Sequence, residues 1–297
     1  MTIMAILGCA RSGGAAPGDY RGTVTFSRGD ATGPASVVEL DLATGKMVAR
    51  FDGMEAQRSP KGETAYLARV KPGNFGDAAV TVADARGIPT APLFTCKDYN
   101  WGANRVCHTP KVSGDGKLVA FGTVGGGGKV CKNSSEMFWG DYVVVHERSG
   151  KEVARFEGYL MPEWLPDGRL LMMGSQCRKA GVWISDKLGE PKRVDGDQVA
   201  TPASAPAVSP DGRKVAMVWN NQLWTLTLDG KPELTQVSRF EKPVTAAAWS
   251  PDGKAFAVLL FDVSLPDEVL VLFRPGDEKS EVKKPLEFRP YGPLTWH

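Results

Sequence analysis

The five cysteines are the residues whose type and spacing could most readily do chemistry in this chain of 297 residues. No two of them have the CxxC spacing and no pair of histidines stands beside them, so the pattern is not that of a zinc site. Apart from Cys9, the cysteines are an even number, which favours disulfides in an exported protein. Four cysteines allow three pairings. The positions are Cys9, Cys96, Cys107, Cys131 and Cys177.

Cys9 follows a short apolar segment that is similar to the end of a bacterial lipoprotein signal. Residues 6–9 read Ile-Leu-Gly-Cys, with a small residue before the cysteine that would be acylated. The segment lacks a basic start and is shorter than the roughly 7–15 apolar residues of a signal sequence. Residues 1–18 are therefore either a signal-like segment with Cys9 as the lipidation site or a disordered tail.

Other patterns that carry chemistry are weak or absent in the sequence. Residues 125–128 are glycines before Lys129, but the phosphate-loop spacing fails and no Ser or Thr follows the lysine. The Gly-x-Ser-x-Gly motif of serine hydrolases does not occur. Of the three histidines, His108 is expected near one face and His146 and His297 near the opposite one, too far apart to share a metal ion. We therefore predict no catalytic residue, no metal and no cofactor.

The composition excludes two classes of function. The net charge is +2 with 24% charged residues, so no strong field draws the chain to nucleic acid or to an acidic membrane. No apolar run reaches the roughly 18 residues of a membrane-spanning helix. The 34 glycines and 21 prolines indicate many short strands joined by turns.

A six-residue turn pattern recurs five times along the chain. Its proline presets φ at the first central position, its aspartate tolerates the second, and its glycine closes the turn. The pattern therefore predicts a tight hairpin between two strands. The copies begin at Arg58, Val112, Trp164, Val208 and Trp249, and read RSPKGE, VSGDGK, WLPDGR, VSPDGR and WSPDGK.

Each turn is followed by an apolar run, a third strand-like segment that ends in a glycine-containing turn, and a more polar fourth segment. Residues 292–296 look like the first strand of one more such unit, and residues 22–26, 37–42 and 47–51 like its second, third and fourth strands. We therefore predict an all-β fold over residues 19–297, a single six-bladed β-propeller domain with four-stranded antiparallel blades. The C-terminal first strand would close the ring by pairing with the N-terminal strands.

The turns at residues 209–212 and 250–253, with Trp249 before the second, resemble the repeats of TolB-type β-propellers. The resemblance covers nearly all of residues 20–297, although Lys61 and Gly114 depart from the pattern. It implies a six-bladed propeller and, by analogy, a role in a complex of the cell envelope. Propellers of this kind include binding proteins, scaffolds and accessory domains of enzymes, so the fold alone does not define the function.

The longest predicted loops share one face of the propeller, opposite the short turns, and binding residues usually lie on such loops. All four internal cysteines fall there: Cys96 and Cys107 bracket one inter-blade loop, and Cys131 and Cys177 could join two neighbouring loops. Exposed aromatic and arginine side chains are typical of protein-binding sites, although Trp101 and Trp139 could instead pack against their own loops. The candidate binding residues are Trp101, Asn104, Arg105, His108, Phe138, Trp139 and Arg178.

These features favour a monomeric, non-catalytic propeller that binds a protein or peptide in the periplasm or at the cell surface. In its anchored form it would be an outer-membrane lipoprotein, attached through Cys9. One alternative is an enzyme acting on a saccharide or small molecule at the channel mouth, with acids such as Glu163 or Asp262. Another is a structural subunit of a larger assembly.

Overall fold

The computed structural model describes residues 20–28, 36–69, 78–96, 106–124, 129–130, 137–138, 141–175, 180–261, 269–286 and 290–297. Across these residues the chain forms 25 strands. They assemble into six antiparallel blades of four strands each around a central axis, with β3 shared by two blades and with β9 and β10 forming a separate pair. The predicted all-β propeller is confirmed. None of the described residues belongs to a helix with the length and apolar character needed to cross a membrane.

Strand bounds follow the blades in chain order. Blade 1 contains β1 (Thr23–Arg28), β2 (Ser36–Asp41), the first half of β3 (Met47–Arg58) and, from the other chain end, β25 (Pro290–Trp296). Blade 2 contains the second half of β3, then β4 (Thr64–Arg69), β5 (Ala78–Ala83) and β6 (Phe94–Cys96). Blade 3 contains β7 (Val106–Val112), β8 (Leu118–Val124), β11 (Tyr142–Glu147) and β12 (Glu152–Glu157), with a small hairpin of β9 (Lys129–Val130) and β10 (Met137–Phe138).

The second half of the ring is more regular. Blade 4 contains β13 (Tyr159–Trp164), β14 (Leu170–Gly174), β15 (Gly181–Ser185) and β16 (Lys192–Arg193). Blade 5 contains β17 (Ser204–Val208), β18 (Lys214–Trp219), β19 (Gln222–Thr227) and β20 (Leu234–Gln236). Blade 6 contains β21 (Val244–Trp249), β22 (Phe256–Leu260), β23 (Val269–Arg274) and β24 (Asp277–Pro285).

The ring closes where the two ends of the sequence meet in blade 1. Strand β25 pairs antiparallel with β1, and Val24 lies opposite Trp296. The Thr23 N–H donates to His297 O at 2.6 Å, and the His297 N–H donates back to Thr23 O at 3.0 Å. The predicted pairing of the C-terminal strand with the N-terminal strands is therefore present in the structure.

The recurring turns form as their residue types require. Ser209 Oγ donates to Asp211 Oδ1 at 2.6 Å, which fixes the turn, and Gly212 takes the left-handed φ of 72° that closes it. The first turn differs, because Lys61 stands where the other turns have aspartate. Its ammonium instead donates to Asp115 O in the next turn at 3.0 Å, and the Ser59 hydroxyl has no hydrogen-bond partner among the described residues.

The core lies between neighbouring blades rather than within them. The strands next to the inner ones are buried on both faces, as in β22, where all five residues are buried. Leu67 and Val82 of blade 2, for example, share one cluster with Phe121 and Val144 of blade 3. A strand that is buried on both faces needs apolar residues at nearly every position, which explains the apolar runs after each turn.

Candidate binding site

A cavity of about 450 Å³ lies on the propeller axis. Its walls come from the inner strand of every blade, and each of these strands contacts the next around the ring. Its rim includes the first-to-second strand turns, with the turn prolines Pro60, Pro166, Pro210 and Pro251. The cavity therefore opens on the face that carries the short turns, opposite the predicted long-loop face. We call it the axial cavity.

One residue from each inner strand forms a ring in the wall of the axial cavity. Each lies immediately before the first residue of a six-residue turn pattern, or at the equivalent place in β25, and so points to the axis. Consecutive strands contribute polar side chains on one side of the ring and alanines on the other. The six residues are Gln57, Lys111, Glu163, Ala207, Ala248 and Thr295.

The polar side of this ring is a hydrogen-bonded chain. Lys111 Nζ donates to Gln57 Oε1 at 2.5 Å and forms an ion pair with Glu163 Oε2, and the Thr295 hydroxyl donates to Gln57 Oε1 at 3.1 Å. The side chains of Lys111 and Glu163 are only 11% and 16% exposed. Burial raises the pKa of the Glu163 carboxyl above its usual value, and the neighbouring Lys111 only partly opposes this. The pair is therefore held in a poorly hydrated place.

Two further polar groups line the axial cavity. The Ser59 hydroxyl is buried and the Nδ1 atom of His297 is enclosed, and neither has a hydrogen-bond partner among the described residues. Burial, with a smaller contribution from the nearby Arg58 cation, lowers the pKa of His297 to about 4, so its ring is neutral at neutral pH. Buried polar atoms are normally hydrogen-bonded, so such atoms around one cavity favour a polar ligand group there.

The opposite side of the axial cavity is apolar. Ala207 and Ala248 leave space where longer side chains would fill the channel, and Val208 and Trp249 complete this side. The Trp249 indole N–H donates to Ala207 O of the preceding blade at 2.9 Å. The indole is therefore fixed and presents only its ring to the cavity.

A second layer of the channel contains strained backbone. Glu55, Thr109, Met161 and Ala205 each lie three residues before the first residue of a six-residue turn pattern and have left-handed φ values between 47° and 53°. Each lies at a β-bulge, where the register of its inner strand shifts. Non-glycine residues in this region are strained, and such positions often occur at functional sites.

At the bulges, backbone N–H groups are left out of the strand pairing. Side chains of the preceding blade accept hydrogen bonds from some of these groups. Glu55 Oε2 accepts the Thr109 N–H at 2.5 Å, and Met161 Sδ accepts the Ala205 N–H at 3.3 Å. The Glu55 N–H in turn donates to Ser27 Oγ at 2.7 Å. Burial raises the pKa of Glu55 to about 7 despite the hydrogen bond from Thr109. Glu55 therefore caps the backbone within the channel wall.

His108 is the predicted binding residue that the structure describes most fully. Its ring lies against Gly122 in the adjacent strand, where a Cβ on that glycine would be 2.0 Å from His108 Cε1. Its Nδ1 atom is 3.2 Å from Thr109 Oγ1, and burial lowers its pKa to about 4. His108 is therefore neutral at neutral pH and fills the space left by a missing side chain, and its role in binding stays a prediction.

Cys96 and Cys107 form a disulfide that joins the end of β6 to β7, with their Cα atoms 5.8 Å apart. This is the pair that brackets the inter-blade loop in the sequence. For Phe138 only the backbone, in β10, is described. The other predicted site residues lie outside the described residues: Cys9, Trp101, Asn104, Arg105, Cys131, Trp139, Cys177 and Arg178.

Metal ligands and acidic side chains are few in the described part of the site. Among the described residues no three His, Cys, Asp or Glu side chains come together as metal ligands. Glu163 is the single carboxylate among the described residues that line the axial cavity, whereas glycoside hydrolysis normally needs two. Asp262, the other acid named for an enzymatic role, lies outside the described residues.

The ring of the axial cavity is the part of the site that sequence reasoning missed, apart from Glu163. The signal was available, since every ring residue in β3, β7, β13, β17 and β21 lies immediately before the first residue of a six-residue turn pattern. In Lys111 and Glu163 this position carries opposite charges on consecutive blades. Aligning the inner strands by their turn patterns would therefore have placed Lys111 and Glu163 side by side.

Comparison with known proteins supports the fold and no closer assignment. No family model matches the chain, and no curated protein matches it. The solved structure of TolB from Acinetobacter baumannii is 14% identical, with a TM-score of 0.66 over 93% of this chain and 66% of that chain.

Two other solved structures show how widely this architecture is used. A structure described as a nidogen/laminin complex is 11% identical, with a TM-score of 0.60 over 92% of this chain and 97% of that chain. An oligogalacturonate lyase in complex with manganese is 14% identical, with a TM-score of 0.53 over 87% of this chain and 72% of that chain. At these identities the likeness shows that the chain has a TolB-like propeller fold.

Proposed function

We propose that this protein is a non-catalytic binding propeller of the bacterial cell envelope, and that a segment of a protein partner enters the axial cavity. The observation that carries the proposal is the cavity itself, with one apolar wall and one polar wall whose buried groups are incompletely hydrogen-bonded. Pockets of a few hundred cubic ångströms with few, well-placed polar groups are typical ligand sites.

Two features support binding rather than catalysis. The tryptophans of the cavity wall are fixed by hydrogen bonds to the backbone of neighbouring chain segments, as Trp164 is to Lys111 O at 3.2 Å. Among the described residues that line the cavity, Glu163 is the one acidic side chain, and it is paired with Lys111. Such a site can hold a ligand in place, whereas glycoside hydrolysis normally needs a second acidic side chain.

The disulfide supports the cell envelope as the location, because disulfides persist in oxidising compartments such as the periplasm. We expect protein isolated from a diderm bacterium, expressed with its natural upstream region, to begin at an acylated Cys9. Its intact mass should rise on reduction by one pair of hydrogens for each disulfide. An unprocessed chain with free thiols at Cys96 and Cys107 would remove the argument for the envelope.

The binding face can be tested with three variants in one capture experiment. Ala207→Leu fills part of the axial cavity, whereas Trp101→Ala and Trp139→Ala alter the predicted long-loop face. If the partner enters the cavity, Ala207→Leu should weaken capture of the cross-linked envelope partner roughly tenfold, a typical effect for a contact residue. The two tryptophan variants should bind as the wild type does.

Ala43→Leu is the matched control, because it makes the same change at an exposed turn residue of blade 1. It should leave capture unchanged, and all variants should unfold at the wild-type temperature within a few degrees. Retained capture by Ala207→Leu with loss in Trp101→Ala or Trp139→Ala would contradict the cavity as the site. That result would favour the long-loop residues, which also include Asn104, Arg105, Phe138 and Arg178.

A further inference from the structure

Two hydrogen-bond donors at the axial cavity are not fully used by the protein. Lys111 Nζ has two partners, Gln57 Oε1 and Glu163 Oε2, and an ammonium group can donate three hydrogen bonds. The Ser59 hydroxyl is 8% exposed and has no hydrogen-bond partner among the described residues. It is unpaired because Lys61 replaces the aspartate that holds the equivalent serine in other turns. Buried donors of this kind favour an acceptor supplied by a ligand.

We propose that the axial cavity recognises a carboxylate that is joined to an apolar group, with Lys111 as the counter-ion of that carboxylate. This inference rests on the proposed function, since it names the chemistry of the group that the cavity takes. The carboxylate could belong to a free acid or to an acidic side chain of a polypeptide, and the two sources share this chemistry.

An anion fits the polar wall better than a cation. A cation would need Glu163, which already faces Lys111, and would come close to the lysine charge. The guanidinium of Arg58 also lines the cavity, and it is bonded to Glu39 Oε1 at 2.9 Å. An incoming carboxylate can replace Glu163 beside Lys111 if Glu163 takes up a proton from solvent, which its raised pKa favours. The total charge of the site is then unchanged.

The apolar part of the ligand has a place on the opposite wall. Ala207 and Ala248 are the small residues of the ring, and Trp249 presents its indole ring beside them. A cavity of about 450 Å³ has room for an aromatic or branched aliphatic group as well as the carboxylate. Burying such a group there adds affinity without requiring another hydrogen bond.

The test uses the full-length chain and three probes of one shape, titrated by calorimetry near neutral pH. Phenylacetate carries the carboxylate, phenylacetamide is neutral, and phenethylamine is cationic. Phenylacetate should bind at least roughly tenfold more tightly than the amide, the usual gain from a charge-assisted hydrogen bond. The amine should not bind.

Substitutions in the ion pair give opposite results if the inference is right. Lys111→Met should weaken phenylacetate binding roughly tenfold or more, whereas Glu163→Gln should strengthen it because the competing carboxylate is gone. The double variant Lys111→Met/Glu163→Gln leaves no unpaired buried charge, so it should fold like the wild type and bind phenylacetate as weakly as Lys111→Met. This double variant separates loss of the binding group from loss of the fold.

A fourth probe distinguishes the two sources of the carboxylate. Tighter binding of the blocked dipeptide N-acetyl-glutamyl-phenylalaninamide than of phenylacetate indicates an acidic side chain of a polypeptide, and the reverse order indicates a free acid. Tighter binding of phenethylamine, unchanged binding in Lys111→Met, or no binding by either carboxylate overturns the inference. If Ala207→Leu nevertheless weakens partner capture, the proposed function stands and only the inferred ligand chemistry is wrong.

Discussion

Glu55→Gln should make this protein more stable at alkaline pH while leaving its stability near pH 4.5 almost unchanged. Burial raises the pKa of the Glu55 carboxyl from 4.5 to about 7. The folded protein therefore binds more protons than the unfolded chain between these two values. The free energy of unfolding falls as pH rises through this window and levels off above about pH 7, because the charged carboxylate is then buried at a cost.

The expected gain of the variant at pH 8 is at most about 3 kcal/mol, from about 1.4 kcal/mol for each unit of the pKa shift. Glutamine keeps a side-chain oxygen that can accept the Thr109 N–H, so the cap of the bulge is retained. The measurement is urea unfolding of both proteins between pH 4.5 and pH 8. The histidines of lowered pKa, His108 and His297, are common to both proteins and cancel in the difference.

Glu241→Gln is the control, because it removes one carboxylate at an exposed position away from the channel. Its curve of stability against pH should run parallel to that of the wild type. A Glu55→Gln curve that is also parallel to the wild type would mean that Glu55 titrates as an ordinary solvated acid. The channel wall around Thr109 would then be wetter than the structure indicates.

Much of the fold was predictable because the turns carry local information. The proline, aspartate and glycine of the regular turns constrain the backbone over four residues, and the apolar runs that follow must be buried on both faces. Counting strands from those turns correctly left one blade to be shared by the two chain ends. The sequence did not indicate that β3 runs through from blade 1 into blade 2. Asp52 and Gly53, a dipeptide typical of turns, stand at the junction of its two halves and would have predicted a break there.

The site was less predictable, because it depends on how six distant segments meet. Glu55 and Thr109 are 54 residues apart, and their contact exists only because both strands bulge at the same height. Nothing in their local sequence distinguishes a bulged strand from a regular one. The position of His108 likewise depends on Gly122, whose missing side chain makes room for the ring. The lengths of the loops instead led us to predict the binding site on the long-loop face, opposite the face on which the axial cavity opens.

Trp296→Ala should be among the most destabilising single substitutions in the chain. Trp296 is 6% exposed and lies in β25, the strand that closes the ring. Its indole N–H donates to Arg21 O at 2.8 Å, and its ring packs edge-on against Tyr20 with 5.9 Å between centroids. Truncating a buried tryptophan to alanine costs about 3–5 kcal/mol, so the free energy of unfolding in urea should fall by that amount.

Two variants show whether the loss comes from the packed ring. Trp296→Phe keeps an aromatic group and removes only the indole N–H, so it should cost about 1 kcal/mol from the hydrogen bond and a little more from volume. Trp219→Ala removes a half-buried tryptophan whose N–H bonds to the exposed Thr201 hydroxyl at 2.7 Å, and its effect should be clearly smaller. If Trp219→Ala and Trp296→Ala lower the free energy of unfolding equally, the contacts that close the ring contribute no more to stability than those elsewhere.

We expect Trp296 to contribute strongly to stability because of the way blade 1 is assembled. No turn connects β25 to β1, so this pair of strands is held by hydrogen bonds and by the packing of its buried side chains, among them Leu294 and Trp296. Tyr20, which Trp296 contacts, donates its hydroxyl to Ser280 O of blade 6 at 2.6 Å. Loss of the indole therefore weakens the contacts of blade 1 with its own inner strand, β25, and with blade 6 together. Because propeller blades bury their apolar faces only against neighbours, opening this seam exposes two faces at once.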